Sequence, residues 1–190
     1  IGDWSSDVCS SDLGFWASYA FQDIKNRYAR SILGPLWITI SIGATVAAMG
    51  PLYGAMFGVA SKEYFLYLGS GLIAWYYISG TLADASTCLA TDGLQLQNLN
   101  LPISAYILRA CVRNFYILLH NLVVLVILYL VCGELSLKFL LVIPTVFLLF
   151  LLLYFVSIPL ALVCARFRDV AQLTISILQM SMFQIGRAHV

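Results

Sequence analysis

Residues 137–165, LKFLLVIPTVFLLFLLLYFVSIPLALVCA, decide the fold class of this chain. After Lys138 the stretch carries no charged side chain, and it consists mainly of Leu, Val, Phe and Ile. A helix needs about 20 apolar residues to cross about 30 Å of hydrocarbon, and this stretch exceeds that length. We therefore predict a transmembrane helix here, with Pro144 and Pro159 as the places where it can bend.

The composition of the whole chain agrees with a membrane protein. Of its 190 residues 62% are hydrophobic and 10% charged, and its mean hydropathy is +0.92. Soluble domains have roughly 45–50% apolar and about 25% charged residues, so a soluble fold would not hide this much apolar surface. The net charge of +1, with no basic stripe to neutralise phosphates, argues against nucleic acid as a partner.

Other apolar runs outward from this stretch predict further helices. The predicted fold is an all-α polytopic membrane protein with an N-terminal amphipathic helix in the membrane interface, four complete transmembrane helices and a truncated fifth. The interfacial helix is residues 14–33, the four spans are residues 35–59, 64–89, 106–132 and 137–165, and the fifth apolar run is residues 170–183. Pro51 is expected to interrupt the first span, whose glycines and alanines, Gly43 among them, should allow close helix contact.

Both ends of the chain look foreign to this pattern. Residues 3–13, DWSSDVCSSDL, resemble a translated sequencing adapter, and residues 185–190, IGRAHV, resemble the same adapter read from the opposite strand. We therefore separate residues 1–13 and 185–190 as adapter-like and expect residues 14–184 to be one membrane domain from a longer parent. The alternative is a natural polar tail at each end.

Basic residues predict the orientation. One side of the alternating topology collects most of them: Lys25, Arg27, Arg30, Arg109, Arg113, Arg166 and Arg168. Lys62 and Lys138 fall on the other side. Because basic residues favour cytoplasmic loops, the N-terminus, residues 90–103 and the predicted loop formed by Arg166, Arg168 and Asp169 should be cytoplasmic.

Few residues offer catalytic chemistry. No lysine follows a glycine, so the chain has no phosphate-binding loop of the Gly-Lys-Ser/Thr type for ATP. His120 is the only histidine before the adapter-like end, and with Asn121 it should make an interhelical hydrogen bond; a proton or substrate role is the alternative. The cysteines between the two adapter-like ends lack metal-site spacing and should be small buried apolar residues: Cys88, Cys111, Cys132 and Cys164.

Two acidic residues and an aromatic cluster remain. Asp84 and Asp92 should be solvated or paired with Arg109 and Arg113 at the inner membrane surface; one carboxylate binding substrate or metal is the alternative. Aromatic residues occur together at Trp75, Tyr76 and Tyr77. Such rings either stack on sugars in a wet channel wall or face lipid in an interfacial belt, and the residues alone leave both open.

Several short motifs follow one another in a familiar order. They are DIKNRY at 23–28, RSILGPLW at 30–37, LYG at 52–54, FG at 57–58, GLIAW at 71–75, SGT at 79–81, LP at 101–102, RN at 113–114, HN at 120–121 and ARFRD at 165–169. Together they resemble the type-2 permease family of ABC transporters, which exports polysaccharides and polyol phosphates of the O-antigen, capsule and teichoic acid type. The resemblance extends over residues 14–184.

The resemblance implies a transporter permease rather than an enzyme. It would be a multi-pass protein of the bacterial inner membrane that moves a lipid-linked polysaccharide outward as a homodimer. A separate cytoplasmic ATP-binding subunit would use ATP, and this chain would bind no cofactor. Coupling to that subunit would involve the interfacial helix, through Arg27 and Arg30, and a short cytoplasmic helix at residues 92–100.

Further implications concern individual residues. In the short cytoplasmic helix, Asp92, Gln95 and Gln97 would transmit the ATPase movement. Trp75, Tyr76 and Tyr77 would belong to the channel wall. Family members continue into an outer re-entrant region and a sixth span, which residues 14–184 do not include.

Three other functions stay open. An exporter of the same type could move teichoic acid, a lipid or a drug. A membrane enzyme acting on lipid-linked sugars would need acidic residues and histidines clustered at one interface, whereas Asp84 and Asp92 have no histidine near them in sequence. The third alternative is a structural membrane subunit.

Overall fold

The computed structural model of the protein describes residues 36–57, 61–91, 103–132 and 140–185. Five helices make up nearly all of this part of the chain: α1 Leu36–Phe57, α2 Ser61–Thr91, α3 Ile103–Cys132, α4 Val142–Arg166 and α5 Arg168–Ile185. The described ranges contain no strand. The all-α prediction is confirmed for these residues, whereas the predicted interfacial helix at residues 14–33 lies outside them.

Helix boundaries follow the apolar runs closely. α1, α3 and α4 occupy the first, third and fourth predicted spans, and α2 and α5 extend beyond the second and fifth runs at both ends. Pro51 lies inside α1 and Pro159 inside α4, and both helices continue through them. The prediction that Pro51 interrupts the first helix is therefore wrong. An apolar helix can accommodate proline at the loss of one backbone hydrogen bond.

α2 is the central helix of the bundle, since it contacts all four others. The larger core cluster joins α1, α2, α3 and α4 through the buried residues Ile42, Val46, Leu72, Ile73, Tyr77, Leu118, Leu125 and Leu153. A second cluster lies toward the end of α2 and the start of α3, and consists of Cys88, Ile107, Ala110, Cys111 and Ala161. Burial of these side chains aligns α2 and α3 along most of their length.

Two glycines of α2 make close contacts with α3. A Cβ atom at Gly69 would lie 2.6 Å from Leu128 Cδ1, and one at Gly80 would lie 3.0 Å from Asn114 Oδ1. A Cβ at Gly43 of α1 would meet nothing within 4 Å. The expectation of close contact is thus wrong at Gly43, and small residues instead allow α3 to approach α2.

Two of the described helices are long and apolar enough to cross a membrane: residues Tyr106–Leu130 of α3 and Val142–Arg166 of α4. The apolar part of α1, Thr39–Leu52, is shorter. Four complete spans were expected, so this criterion supports half of them. α2 is less apolar because, as the central helix, it faces protein on several sides and can carry serines, threonines and Asp84.

Exposed apolar side chains cover α4. At 25 residues it is about 37 Å long, at 1.5 Å per residue. Only 17% of its apolar window is buried among the described residues, unlike a helix in the core of a soluble protein. Its most exposed large side chains are Ile143, Phe147, Leu148, Leu152 and Phe155. Exposed apolar surface of this extent is typical of a helix that contacts lipid or another protein.

Candidate functional site

An ion pair joins α2 to α3 in the polar part of the bundle. Arg113 Nη2 lies 2.7 Å from Asp84 Oδ2, and the two side chains are 16% and 27% exposed. Asn114 Nδ2 donates a hydrogen bond of 2.7 Å to the same carboxylate oxygen. We call Asp84, Arg113 and Asn114 the polar triad. Its short distances are typical of hydrogen bonds to an ionised carboxylate.

The Asn114 amide has a defined orientation. Its Nδ2 also donates to the Ala110 carbonyl oxygen at 3.0 Å, so both neighbours of this nitrogen are acceptors. Exchanging the nitrogen and oxygen of the amide would place Oδ1 against two acceptor oxygens, so that orientation is excluded. Gly80, one turn before Asp84 on α2, leaves the room that the Asn114 carbonyl group needs.

The polar triad tests the prediction that Asp84 and Asp92 are solvated or paired with arginines. Pairing of Asp84 with Arg113 is confirmed, and Asp92 lies outside the described residues. Arg109 lies one turn before Arg113 and is buried. The described residues contain no group of three or more His, Cys, Asp or Glu side chains that could hold a metal ion.

A cavity of about 300 Å³ lies between α1, α2 and α3, beside the triad. None of the described residues that line it is charged: Trp37, Ser41, Ile42, Thr45, Tyr76, Tyr77, Asn114, Ile117, Leu118 and Asn121. We call it the interhelical cavity. Aromatic rings, hydroxyls and amides share its wall, so it presents both apolar faces and neutral hydrogen-bonding groups to an occupant.

The α1 hydroxyls at the cavity donate within their own helix. Ser41 Oγ donates to the Trp37 carbonyl oxygen at 2.9 Å, and Thr45 Oγ1 donates to the Ser41 carbonyl oxygen at 2.8 Å. Each hydroxyl keeps acceptor capacity after this donation. The α1 wall can therefore accept hydrogen bonds from an occupant that carries hydroxyl or amine donors.

Two of the three consecutive aromatic residues of α2 line the interhelical cavity. Successive residues of a helix point about 100° apart. Tyr77 is buried, Tyr76 is 36% exposed and both line the interhelical cavity, whereas Trp75 is half-buried and does not. Trp37 of α1 also lines the cavity. In the sequence, Trp37 stood out only as the last residue of the RSILGPLW motif.

His120 and Asn121 differ in their hydrogen bonds. Asn121 is buried, and its Oδ1 accepts an interhelical hydrogen bond from Thr39 Oγ1 of α1 at 3.4 Å. His120 Nδ1 lies 2.8 Å from the Tyr116 carbonyl oxygen of its own helix. The predicted interhelical hydrogen bond is thus confirmed for Asn121, and at 3.4 Å it is long for a bond between oxygens.

The cysteine prediction is confirmed where the side chains are described. Cys88, Cys111 and Cys164 are buried and make no disulfide. The side chain of Cys132 lies outside the described residues. These cysteines occupy space in the core as small apolar residues do.

The predicted cytoplasmic loop at residues 166–169 is a single extended residue. Arg166 ends α4 and Arg168 begins α5, with only Phe167 between them. The Phe167 N–H donates to the Val163 carbonyl oxygen at 2.9 Å, and the Val170 N–H donates to the Phe167 carbonyl oxygen at 3.1 Å. Arg166, Arg168 and Asp169 are exposed.

The remaining predicted site residues lie outside the described part of the chain. They are Arg27, Arg30, Asp92, Gln95 and Gln97, the residues assigned to coupling. Ser41 and Thr45 were not predicted to line a cavity. Their spacing of four residues, in an otherwise apolar helix that contains Trp37, could have indicated a polar strip on one face of that helix.

No protein-family model matches the chain. No curated protein matches it either.

Proposed function

We propose that this chain is the permease subunit of an ATP-driven exporter that moves a lipid-linked polysaccharide, of the O-antigen or capsule type, across the bacterial inner membrane. The observation that carries the proposal is the uncharged wall of the interhelical cavity. It combines the rings of Trp37 and Tyr76 with the amides of Asn114 and Asn121. A sugar presents C–H faces to aromatic rings and hydroxyls to neutral polar groups, so its chemistry matches this wall.

The size of the cavity limits what it can hold. At about 300 Å³ it is at the lower end of the range of about 300–1,000 Å³ for ligand pockets. One sugar ring is a better match than a longer stretch of glycan. In this proposal the cavity contacts successive rings of a chain that passes along it, and the lipid carrier remains in the bilayer.

Four membrane spans and a cytoplasmic N-terminus belong to the proposal. α3 and α4 meet the length and hydropathy criterion. α1 and α2 would cross the membrane with them, because α2 packs against every other helix and its polar residues would be shielded from lipid. A second copy of the chain would complete the channel, and lipid would surround the pair.

The energy would come from a separate ATP-binding subunit. The chain has no Gly-Lys-Ser/Thr phosphate-binding loop. Residues 92–102 connect α2 to α3, so a force applied to them would act on the helices that carry the triad and part of the cavity. Arg27 and Arg30, in the predicted interfacial helix, are the second proposed contact with that subunit.

Transport by the full-length permease tests the proposal. The permease and its ATP-binding subunit are placed together in lipid vesicles, and ATP-dependent movement of a lipid-linked glycan is measured. Tyr76→Ala should reduce transport, because it removes a cavity ring. Tyr67→Ala is the matched control, since Tyr67 lies on the same helix, is similarly exposed at 45% and does not line the cavity.

Three outcomes would count against this function. Transport that is unchanged in Tyr76→Ala would reject the cavity as the glycan site. A chemical change in the lipid-linked sugar without movement across the membrane would favour the membrane enzyme. Movement of teichoic acid, a lipid or a drug, but not of polysaccharide, would favour the exporter of the same type with different cargo.

A further inference from the structure

We propose that α2 and α3 move as one rigid unit, fastened by the polar triad, and that the interhelical cavity opens and closes by movement of α1 against this unit. The inference rests on the proposed function in one respect, since the movement is driven by an ATPase acting at residues 92–102. The rigidity of the unit rests on contacts of the described residues.

The α2–α3 contact is fixed at three points along its length. Gly69 admits Leu128, Gly80 admits Asn114, and Asp84 pairs with Arg113. From Gly69 to Asp84 these points extend over about 22 Å of the α2 axis, at 1.5 Å per residue. Contacts that are distributed in this way resist both sliding and rotation of one helix against the other.

The polar triad makes separation of these two helices unfavourable. Asp84 receives both the Arg113 guanidinium and the Asn114 amide on one carboxylate oxygen. Pulling α3 away would leave a carboxylate and a guanidinium without each other in a partly buried site. Charges that lose their partners away from water are strongly destabilising, and more so within a membrane.

α1 is held to this unit in a different way. The polar contacts between α1 and the unit include the long hydrogen bond from Thr39 to Asn121. Ile42 and Val46 pack against the core, and dispersion contacts of this kind can reform after a small displacement. The Ser41 and Thr45 hydroxyls donate within α1, so movement of α1 breaks none of their hydrogen bonds.

The position of the cavity follows this division. One wall comes from α1, through Trp37 and Thr45, and the other from the α2–α3 unit, through Tyr77 and Asn114. A small rotation of α1 therefore changes the width of the cavity while the triad stays intact. Asn114 belongs to both features, which keeps the second wall in a fixed position relative to the ion pair.

Two disulfide crosslinks test this division in the full-length permease with its ATP-binding subunit. The native cysteines are first replaced by alanine. Gly69→Cys with Leu128→Cys joins α2 to α3, and the shorter side chain at 128 removes the close contact with Leu128 Cδ1. Thr39→Cys with Asn121→Cys joins α1 to the unit at the observed hydrogen bond. Crosslinking is followed by gel mobility, and a reducing agent reverses it.

The two crosslinks should have opposite effects. Export should persist after crosslinking at 69 and 128, and it should fall at least tenfold after crosslinking at 39 and 121, in each case relative to the reduced form of the same variant. Loss of export with the first crosslink, or full export with the second, would overturn the proposal. If either double-cysteine variant does not export in its reduced form while the parent does, maleimide labelling of the single variants Thr39→Cys and Leu128→Cys replaces export as the readout. Labelling at 39 should change with ATP and labelling at 128 should not, and no change at 39 would overturn the proposal.

A double-mutant cycle tests the triad independently of export. Asp84→Asn and Arg113→Gln should each lower the melting temperature of the purified permease by on the order of 5 °C. The double variant should lose clearly less than the sum of the two, because no charge is left alone. Arg168→Gln is the control for loss of an exposed arginine. Additive losses would reject the triad as the fastening, whereas a permease that does not export at all would reject only the proposed function.

Discussion

At the scale of the residue, Gly80 decides how near α3 comes to α2. With no side chain at this position, the Asn114 amide can reach both Asp84 and its own helix. The short side chain of Asp84 can then meet Arg113 across the gap. One glycine thus lets three polar groups make short interhelical hydrogen bonds within an otherwise apolar bundle.

Gly80→Ala should destabilise the protein. Its new Cβ would lie 3.0 Å from Asn114 Oδ1, so the amide would have to move away from Asp84. We expect a loss of about 1–3 kcal/mol in the free energy of unfolding, the usual cost of overpacking. Gly43→Ala is the matched control, because nothing lies within 4 Å of its Cβ and alanine favours the helix by about 0.5–1 kcal/mol. Thermal unfolding in detergent measures both.

The reverse order of stability would contradict the account of Gly80. If Gly80→Ala were as stable as Gly43→Ala, the Asn114 amide would have to tolerate a methyl group without leaving the carboxylate. Gly80 would then not be the residue that sets the distance between α2 and α3.

Some residue contacts in this bundle were predictable from the sequence and others were not. Pairing of Asp84 with Arg113 was predictable, because an opposite charge nearby favours the charged form of each side chain. The roles of Trp37 and Asn114 at the cavity were not, since they depend on which faces of α1, α2 and α3 meet. Of the three adjacent aromatic residues at 75–77, Tyr76 and Tyr77 line the cavity, and a channel role for Trp75 stays a prediction.

At the scale of the element, the exposed surface of α4 indicates most clearly what surrounds a helix. Its exposed side chains are large and apolar over its whole length. α2 shows the opposite pattern, with glycines, serines and threonines among its apolar residues and a neighbour on each side. The sequence predicted both helices, but it could not show that α2 is central, because centrality depends on packing rather than on hydropathy.

Phe155→Arg should impair membrane insertion of α4. Phe155 is 67% exposed and lies near the middle of the helix, where arginine on an inserted helix costs about 2.5–3.5 kcal/mol. Leu140→Arg is the control, since Leu140 is 65% exposed but precedes the helix, where arginine can reach the interface. A glycosylation-based insertion assay compares the two. Equal insertion of both variants would mean that a protein surface, not lipid, covers Phe155.

At the scale of the whole molecule, the number of membrane crossings depends on how the helices pack as well as on their hydropathy. α3 and α4 are long and apolar enough to cross. Hydropathy alone does not predict that α1 and α2 cross the membrane, because α2 contains polar residues and the apolar part of α1 is short. Packing supplies the argument, since α2 packs against both α3 and α4.

A cysteine at position 62 separates the two topologies. In a variant without native cysteines, Lys62→Cys lies in the first turn of α2, and Gln97→Cys lies between α2 and α3. With four crossings a membrane-impermeant maleimide applied to intact cells should label position 62 and leave position 97 unlabelled until the membrane is permeabilised. With crossings by α3 and α4 alone, both positions would lie on the same side and label together. Ser136→Cys, between α3 and α4, should label from outside in either case and therefore serves as the positive control. Labelling of position 97 before position 62 would reverse the orientation that the basic residues predict, and would place the proposed ATPase contact on the wrong side of the membrane.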